Sequence, residues 1–185
     1  KIFSLMCRSR TFHTRLEESR ERLYRVAYAW CHDRALADDL VQETLSKALK
    51  NSGQLRDPEL LNSWLFSILA NCWRDYFRRA RKTEDIDDIE ETQYQDETTP
   101  EDEHARTQIV ARVRAAVARL PQGQRQVLTL VELEEFSYSE VAGILGIPVG
   151  TVMSRLCRAR QALKEHLREL GHVQPDQSAK IRRVK

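Results

Sequence analysis

The chain has 185 residues, of which 41% are hydrophobic and 31% are charged, with six glycines and five prolines. This composition supports one domain or two small ones, and it favours a helix-rich protein with hydrophobic cores. No apolar run approaches the ~20 residues of a membrane span, and the opening KIFSLM is too short for a secretory signal core. We therefore expect a cytoplasmic protein without membrane insertion.

The formal net charge of +2 conceals an uneven distribution. Residues 1–82 carry 16 basic and 10 acidic side chains, and residues 104–185 carry 14 basic and 7 acidic ones. Between them, residues 83–103 carry 11 acidic and no basic side chains. Such a segment buries too little apolar surface to offset its ordering entropy, which predicts a flexible acidic linker. The two basic bodies that it joins favour a polyanionic partner.

The four cysteines are scattered and form no C-x-x-C pair. This spacing favours reduced thiols packed as small hydrophobic groups. It does not support a metal site. The cysteines are Cys7, Cys31, Cys72 and Cys157.

Helical periodicity begins at about residue 14, after a stretch expected to fray, and predicts helices over 14–31 and 35–51. On the second helix Asp39, Glu43 and Lys47 follow one another at intervals of four residues. One interpretation is a solvated face on which Glu43 and Lys47 form a pair worth about 0.2–0.5 kcal/mol. The other is an acidic docking surface for a basic partner. The charges alone favour the first.

A third helix is predicted over 59–81, after a loop marked by glycine and proline. Aromatic and basic side chains alternate along it, as in proteins that bind single-stranded nucleic acid. Core packing is the more common role of such rings and is favoured for Phe66 and Phe77. For Trp73, next to Arg74, core packing and base stacking remain equally supported.

Two further helices, 104–119 and 123–133, lead into a helix-turn-helix pattern over 136–163. Ser137 and Glu140 form an S-x-x-E capping box, Gly146 suits the turn, and Pro148 suits the first turn of the second helix. From residue 151 that helix shows an apolar stripe and a separate polar, cationic face. Major-groove reading is favoured over a helical hairpin with solvated arginines. The polar face comprises Thr151, Ser154, Arg155 and Arg158.

Together these stretches resemble the bacterial sigma-70 factors, specifically the small extracytoplasmic-function (ECF) group. DDLVQETL at 38–45, SWLFSILANCWRDYFRR at 63–79 and the stretch 120–163 look like the family's second-region, promoter-melting and fourth-region motifs. The resemblance implies an all-α fold of two small helical domains. The predicted organisation is a region 2 domain at 14–82, a linker at 83–103, a region 4 domain at 104–170 and a basic tail at 171–185.

The resemblance also implies roles for individual residues, and it favours the docking interpretation of the second helix. Core RNA polymerase, through its largest-subunit clamp helices and its flap, is the implied partner, together with promoter DNA. The polymerase-binding residues implied are Asp38, Asp39, Gln42, Glu43 and Lys47. Those implied at the minus-ten element are Asn71, Trp73, Arg74, Arg78 and Arg79, and the loop 53–63 is implied to accept a flipped base. Met153, Ser154, Cys157 and Arg158 are implied at the minus-thirty-five element.

The predicted function is transcription initiation as an alternative, signal-responsive sigma factor under anti-sigma control, with membrane tethering possible only through a membrane-bound anti-sigma factor. No nucleophile–base pair, phosphate loop or metal-binding carboxylate pair is apparent. We therefore expect no catalytic residue, no cofactor and no small-molecule substrate. Three alternatives remain: an ordinary helix-turn-helix regulator, a sigma-like decoy that titrates an anti-sigma factor, and, least supported, a nuclease.

Overall fold

The structure is a computed structural model that describes residues 2–55, 57–83 and 104–169, with side chains described within 12–55, 57–79 and 109–169. The described residues form helices and two short 3-10 turns, without a strand, which confirms the predicted all-α class. The helices are α1 (Ile2–Cys31), α2 (Arg34–Lys50), α3 (Leu61–Thr83), α4 (His104–Ala118), α5 (Gln122–Glu132), α6 (Tyr138–Leu145) and α7 (Val149–Glu169). The predicted linker beyond Thr83 and the predicted tail 171–185 lie outside the described residues.

An N-terminal bundle consists of α1, α2 and α3. Its core is built from large apolar side chains at helical spacing on the three helices, which removes their surface from water. The Asp33 side chain caps α2 by accepting a hydrogen bond of 2.9 Å from the Leu36 N–H. The predicted loop between α2 and α3 contains the 3-10 turns Ser52–Gln54 and Pro58–Leu60. The fully buried side chains include Leu23, Val26, Trp30, Val41, Leu61, Leu65, Phe66 and Leu69.

The N-terminal prediction was wrong in one respect. The chain was expected to be irregular before residue 14, but α1 already begins at Ile2. Residues 2–13 contain neither glycine nor proline, so nothing local interrupts the backbone hydrogen bonds of α1 as they continue toward the N-terminus. The weak apolar periodicity of this stretch failed to reveal the helix.

A C-terminal bundle consists of α4 to α7 and contains the predicted helix-turn-helix, α6 and α7. The capping box at the start of α6 is present, because Ser137 and Glu140 each accept a hydrogen bond from the other's backbone N–H. Gly146 ends α6 with φ of +66°, a conformation that glycine adopts without a side-chain clash. Pro148 precedes the first residue of α7, one position earlier than predicted, and its carbonyl accepts from Thr151 and Val152.

The two helices of this motif meet at a bend of 104°. Val152, Leu156 and Ala159 of α7 are buried, as the apolar stripe predicted. No single helix in the described ranges is long and apolar enough to span a membrane, and α6 and α7 reach that length and hydropathy only as a bent pair.

The two bundles are packed against each other. Helix α6 lies on α3, and α1 contacts both α4 and α5. Buried side chains of the two bundles form one continuous apolar cluster. Local sequence patterns did not indicate this arrangement, because the residues that meet belong to different halves of the chain.

Candidate polymerase and nucleic-acid interfaces

The acidic face of α2 points into solvent. Asp38, Asp39 and Gln42 are exposed, whereas Glu43 and Lys47 are half-buried. Lys47 Nζ lies 2.8 Å from Glu43 Oε1, which is the predicted i,i+4 ion pair. Hydrogen bonding to Glu43 raises the pKa of the Lys47 ammonium. This face therefore presents exposed hydrogen-bond acceptors next to one ion pair whose two charges cancel. Such a face is suitable for contact with a basic partner surface.

The polar face of α3 contains the residues predicted for the minus-ten element. Asn71 is exposed, so both its donor and its acceptor are available to a base. Arg78 is exposed and donates to Asp75 Oδ1 at 3.0 Å, and Arg79 is exposed as well. Arg74 is different, because its Nη2 donates to the Leu145 carbonyl at the end of α6, 3.1 Å away. Helix α6 therefore occupies a position next to the predicted strand-binding face.

The aromatic side chains of α3 form part of the core. Trp73 is only 3% exposed, and its ring contacts Phe77 edge-to-face with centroids 4.6 Å apart and lies 6.4 Å from the Trp30 ring. In this conformation the indole cannot stack on an unpaired base, so base stacking, one of the two interpretations left open for Trp73, is corrected to core packing. Phe66 is buried, as predicted.

The outer face of α7 exposes the side chains predicted to reach the minus-thirty-five element. Met153 is 54% exposed, and Ser154, Cys157 and Arg158 are exposed beside it. The Arg158 Nε donates to the Ser154 carbonyl at 3.2 Å, which orients its guanidinium along the helix surface.

The thiol of Cys157 is exposed, contrary to the expectation that the cysteines are packed inside. Burial raises the pKa of the Cys31 thiol to about 11 and raises that of Cys72, as expected for inert core thiols.

Arg155 does not share this outer face fully. Its side chain is half-buried and packs on Gly123 at the start of α5, where an added Cβ would lie 2.9 Å from Nη1. The absence of a side chain at Gly123 therefore permits the contact between α5 and α7. Arg155 packs between helices rather than projecting toward DNA, and Thr151 is half-buried too.

One group of polar residues, which lies between the two bundles, was not predicted from the sequence. Trp30 Nε1 donates to Thr129 Oγ1 at 2.8 Å, with both atoms buried. Arg22 Nη2 lies 2.7 Å from Glu134 Oε2, and the Glu134 side chain is completely buried. A threonine inside the apolar run VLTLV was the available signal, because a buried hydroxyl needs a partner.

In the described part of the chain, no group of three or more His, Cys, Asp or Glu side chains is placed to hold a metal ion.

Comparison with known sequences identifies both halves of the chain. The sequence model of sigma-70 region 2 matches residues 16–83, and that of sigma-70 region 4 matches residues 111–163. The ECF RNA polymerase sigma factor EcfG of Rhodopseudomonas palustris is 42% identical over 128 residues, which is 69% of this chain and 68% of that protein. The chain therefore belongs to the ECF subfamily of the sigma-70 family. It is a transcription initiation factor and not an enzyme.

Two solved structures resemble the fold. The sigma factor RpoE of Bartonella quintana, in complex with the anti-sigma factor NepR, matches with a TM-score of 0.67 and 28% identity over 85% of this chain and 97% of that chain. CnrH, in complex with the cytosolic domain of CnrY, matches with a TM-score of 0.62 and 27% identity over 87% of this chain and 90% of that chain. Each match covers more of this chain than either bundle alone contains.

Proposed function

We propose that this sigma factor attaches to core RNA polymerase through the acidic face of α2, reads the minus-thirty-five element with α7, and melts the minus-ten element with α3. The observation that carries the proposal is that one chain matches both region 2 and region 4 and exposes a binding face on each of these helices. Each face alone offers few contacts. Attachment to one polymerase makes the second DNA contact intramolecular, so effective concentration supplies much of the affinity.

Melting requires no bond chemistry in this scheme. The opened strand is stabilised by contacts to extruded bases and to the backbone, which offset an unpairing cost of a few kcal/mol per base. Asn71 supplies base-edge hydrogen bonds, and Arg78 and Arg79 supply cationic contacts to phosphates. The 3-10 turns between α2 and α3 lie just before the start of α3, the helix that carries these three residues. The loop that contains them is proposed to accept the flipped base.

The polymerase contact is tested by the substitution Glu43→Lys. It reverses one charge of the docking face and places two ammonium groups four residues apart on α2, so we expect core binding to be lost while the helical circular dichroism is retained. A like-charge pair of this kind destabilises a helix by only about 0.2–0.5 kcal/mol. Binding is measured by size-exclusion chromatography or pull-down with core polymerase.

Glu165→Lys is the matched control, because it makes the same change of charge at an exposed position of α7, outside the proposed polymerase contact. The control should bind core polymerase like the wild type. Undiminished transcription by the Glu43→Lys variant would refute the assignment of α2. Failure of the wild type to bind core polymerase would instead favour the ordinary helix-turn-helix regulator.

An anti-sigma factor is the second proposed partner. The similar structures of RpoE and CnrH are complexes with NepR and with the cytosolic domain of CnrY. We propose that a protein of that class sequesters this chain from core polymerase in the cytoplasm, with any membrane attachment supplied by the anti-sigma factor. Competition between the anti-sigma factor and core polymerase for the purified protein is the direct measurement.

A further inference from the structure

Lys47 lies between the two proposed binding faces of the N-terminal bundle. It belongs to α2, but its ammonium extends over α3, where Nζ lies 3.4 Å from Cys72 Sγ and 3.9 Å from Asp75 Oδ2. Cys72 directly follows Asn71, the residue proposed to bind an unpaired base. The ammonium therefore borders the proposed melting face, although the residue is on the helix proposed to contact polymerase.

Asp75 connects Lys47 to a cation already assigned to the opened strand. Its Oδ1 accepts from Arg78 Nη2 at 3.0 Å, and its Oδ2 is the oxygen paired with Lys47. Asn71, Asp75 and Arg78 are spaced by four and three residues, so they form one stripe along α3. Two cations from different helices thus share one carboxyl group within this stripe.

The ion pairs of Lys47 are too exposed for stability alone to explain the residue. The side chains of Lys47, Glu43 and Asp75 are 36%, 38% and 31% exposed, and ion pairs that water can reach contribute little to the free energy of unfolding. The ammonium is accessible to a ligand. It also remains charged, because hydrogen bonding to Glu43 raises its pKa.

The charge of this group depends on what contacts Glu43. Glu43, Lys47, Asp75 and Arg78 are two anions and two cations, so their charges cancel in the free protein. The proposed function places a basic polymerase surface on Glu43, which then compensates that carboxylate. Two cations and one anion remain, and their excess positive charge attracts a phosphate. The holoenzyme is therefore the form in which Lys47 is available to DNA.

We propose that Lys47 contacts the phosphate backbone of the unpaired minus-ten strand, next to Arg78, and that it does not contact polymerase. A single strand is held by cations along its backbone and by separate contacts to its bases, and Asn71 offers a base contact in the same stripe. Lys47 thus extends the DNA-binding surface from α3 onto α2. This inference rests on the proposed function, because it requires that α3 holds the opened strand.

The test uses holoenzymes reconstituted from core polymerase and the full-length variants Lys47→Gln and Lys47→Arg. The probe is a fork-junction promoter DNA whose minus-ten element is single-stranded. Its dissociation constant is measured from about 0.05 to 0.3 M KCl, a range in which phosphate contacts depend steeply on salt. The affinity of each variant for core polymerase is measured separately.

We expect Lys47→Gln to weaken binding of the fork by roughly eightfold at 0.05 M salt and to reduce the slope of log affinity against log salt by ~0.7, the value for one phosphate contact with a single strand. Lys47→Arg keeps the charge and should keep the wild-type slope. Core affinity should be unchanged in both variants.

Lys50→Gln is the matched control. It removes the same charge from an exposed position of α2, but Lys50 lines a groove together with Arg20 of α1 and not the melting face. This variant should keep the wild-type slope.

The double variant Lys47→Gln/Asp75→Asn separates a direct contact from an indirect one. Removal of Lys47 alone leaves Asp75 with one cation fewer, and this carboxylate can then repel the strand. Asp75→Asn removes that repulsion. A direct contact predicts that the slope of the double variant stays below the wild-type value by ~0.7. A return to the wild-type slope would show that Lys47 only neutralises Asp75, which overturns the inference.

Two further results would contradict the phosphate contact. An unchanged slope in Lys47→Gln would exclude it, and weaker binding of core polymerase by that variant would return Lys47 to the polymerase surface. Failure of the proposed function is recognised separately. A wild-type holoenzyme that binds the fork no better than fully duplex promoter DNA would refute the role of α3 itself.

Discussion

At the scale of single residues, Asn71 is predicted to act in the opening of promoter DNA and not in the binding of the closed duplex. Its amide is exposed on α3, one to two turns before the arginines proposed to contact the DNA backbone. Asn71→Ala removes base-edge hydrogen bonds available only after the strand is unpaired, so open complexes should decrease by about tenfold, the effect of one lost hydrogen bond of ~1.4 kcal/mol. Closed-complex affinity should not change. Permanganate reactivity of the melted thymines measures the opening.

Gln122→Ala is a suitable control for Asn71→Ala, since it truncates another exposed amide at the start of α5, outside the proposed minus-ten contact. Equal permanganate reactivity in wild type and Asn71→Ala would contradict the assignment of the pocket to α3.

Met153 provides a second residue-scale prediction, which concerns base preference. It is exposed on the outer face of α7, at a position implied to face the minus-thirty-five element. A thioether cannot donate the paired hydrogen bonds by which arginine reads guanine. Met153→Arg should therefore shift selection at one minus-thirty-five position toward guanine, with a discrimination of about 1–3 kcal/mol against the other bases. The same substitution should also raise the affinity for DNA. Met153→Leu should keep the original preference, and in-vitro selection of promoter variants measures both. An unaltered preference in the arginine variant would place Met153 away from the bases.

At the scale of secondary-structure elements, the cap of α6 is a pH-sensitive contributor to the C-terminal bundle. Hydrogen bonds from the Ser137 side chain and backbone lower the pKa of the Glu140 carboxyl. A carboxyl with a lowered pKa in the folded state stabilises the fold above its unfolded-state pKa, near 4.3, and this contribution is lost as the pH falls through the folded-state pKa. Acidification below about pH 4 should therefore weaken the start of α6.

Ser137→Ala tests this cap directly. Loss of an N-cap hydroxyl costs about 1 kcal/mol, so the urea midpoint of the C-terminal bundle should fall at neutral pH. The further decrease of this midpoint on acidification should be smaller in the variant than in the wild type. Ser139→Ala, at the exposed second residue of α6, should have no such effect. Identical midpoints for wild type and Ser137→Ala would show that the capping box does not contribute to stability.

Elements were the level at which the sequence was most informative. The capping box, the turn glycine and the apolar stripe of α7 are local signals, and apart from the start of α1 the helices of both bundles begin and end close to their predicted positions. Burial was harder to predict. Trp73 and Arg155 lie on faces whose surroundings are set by Trp30 and Gly123, each of which is on another helix. Local periodicity could not decide whether these side chains point into solvent.

At the scale of the whole molecule, the arrangement of the two bundles was not predictable. The contacts of Glu134 with Arg22, and of Thr129 with Trp30, join residues 112 and 99 positions apart. Neither pair follows a periodic pattern, and the position of Thr129 inside an apolar run does not reveal which residue is its partner. The net charge of each bundle was informative in a different way, since two basic bodies predicted a polyanionic partner. Membership of the sigma-70 family agrees with this prediction, because promoter DNA is a polyanion.

As a transcription initiation factor, this chain should convert core RNA polymerase into a promoter-specific enzyme. Run-off transcription with core polymerase over a library of genomic promoter fragments tests this conversion most directly. Discrete transcripts are expected from a restricted set of fragments, dependent on the added protein and absent with Glu43→Lys. Contradiction would come from fragments that the protein binds but from which core polymerase starts no transcript.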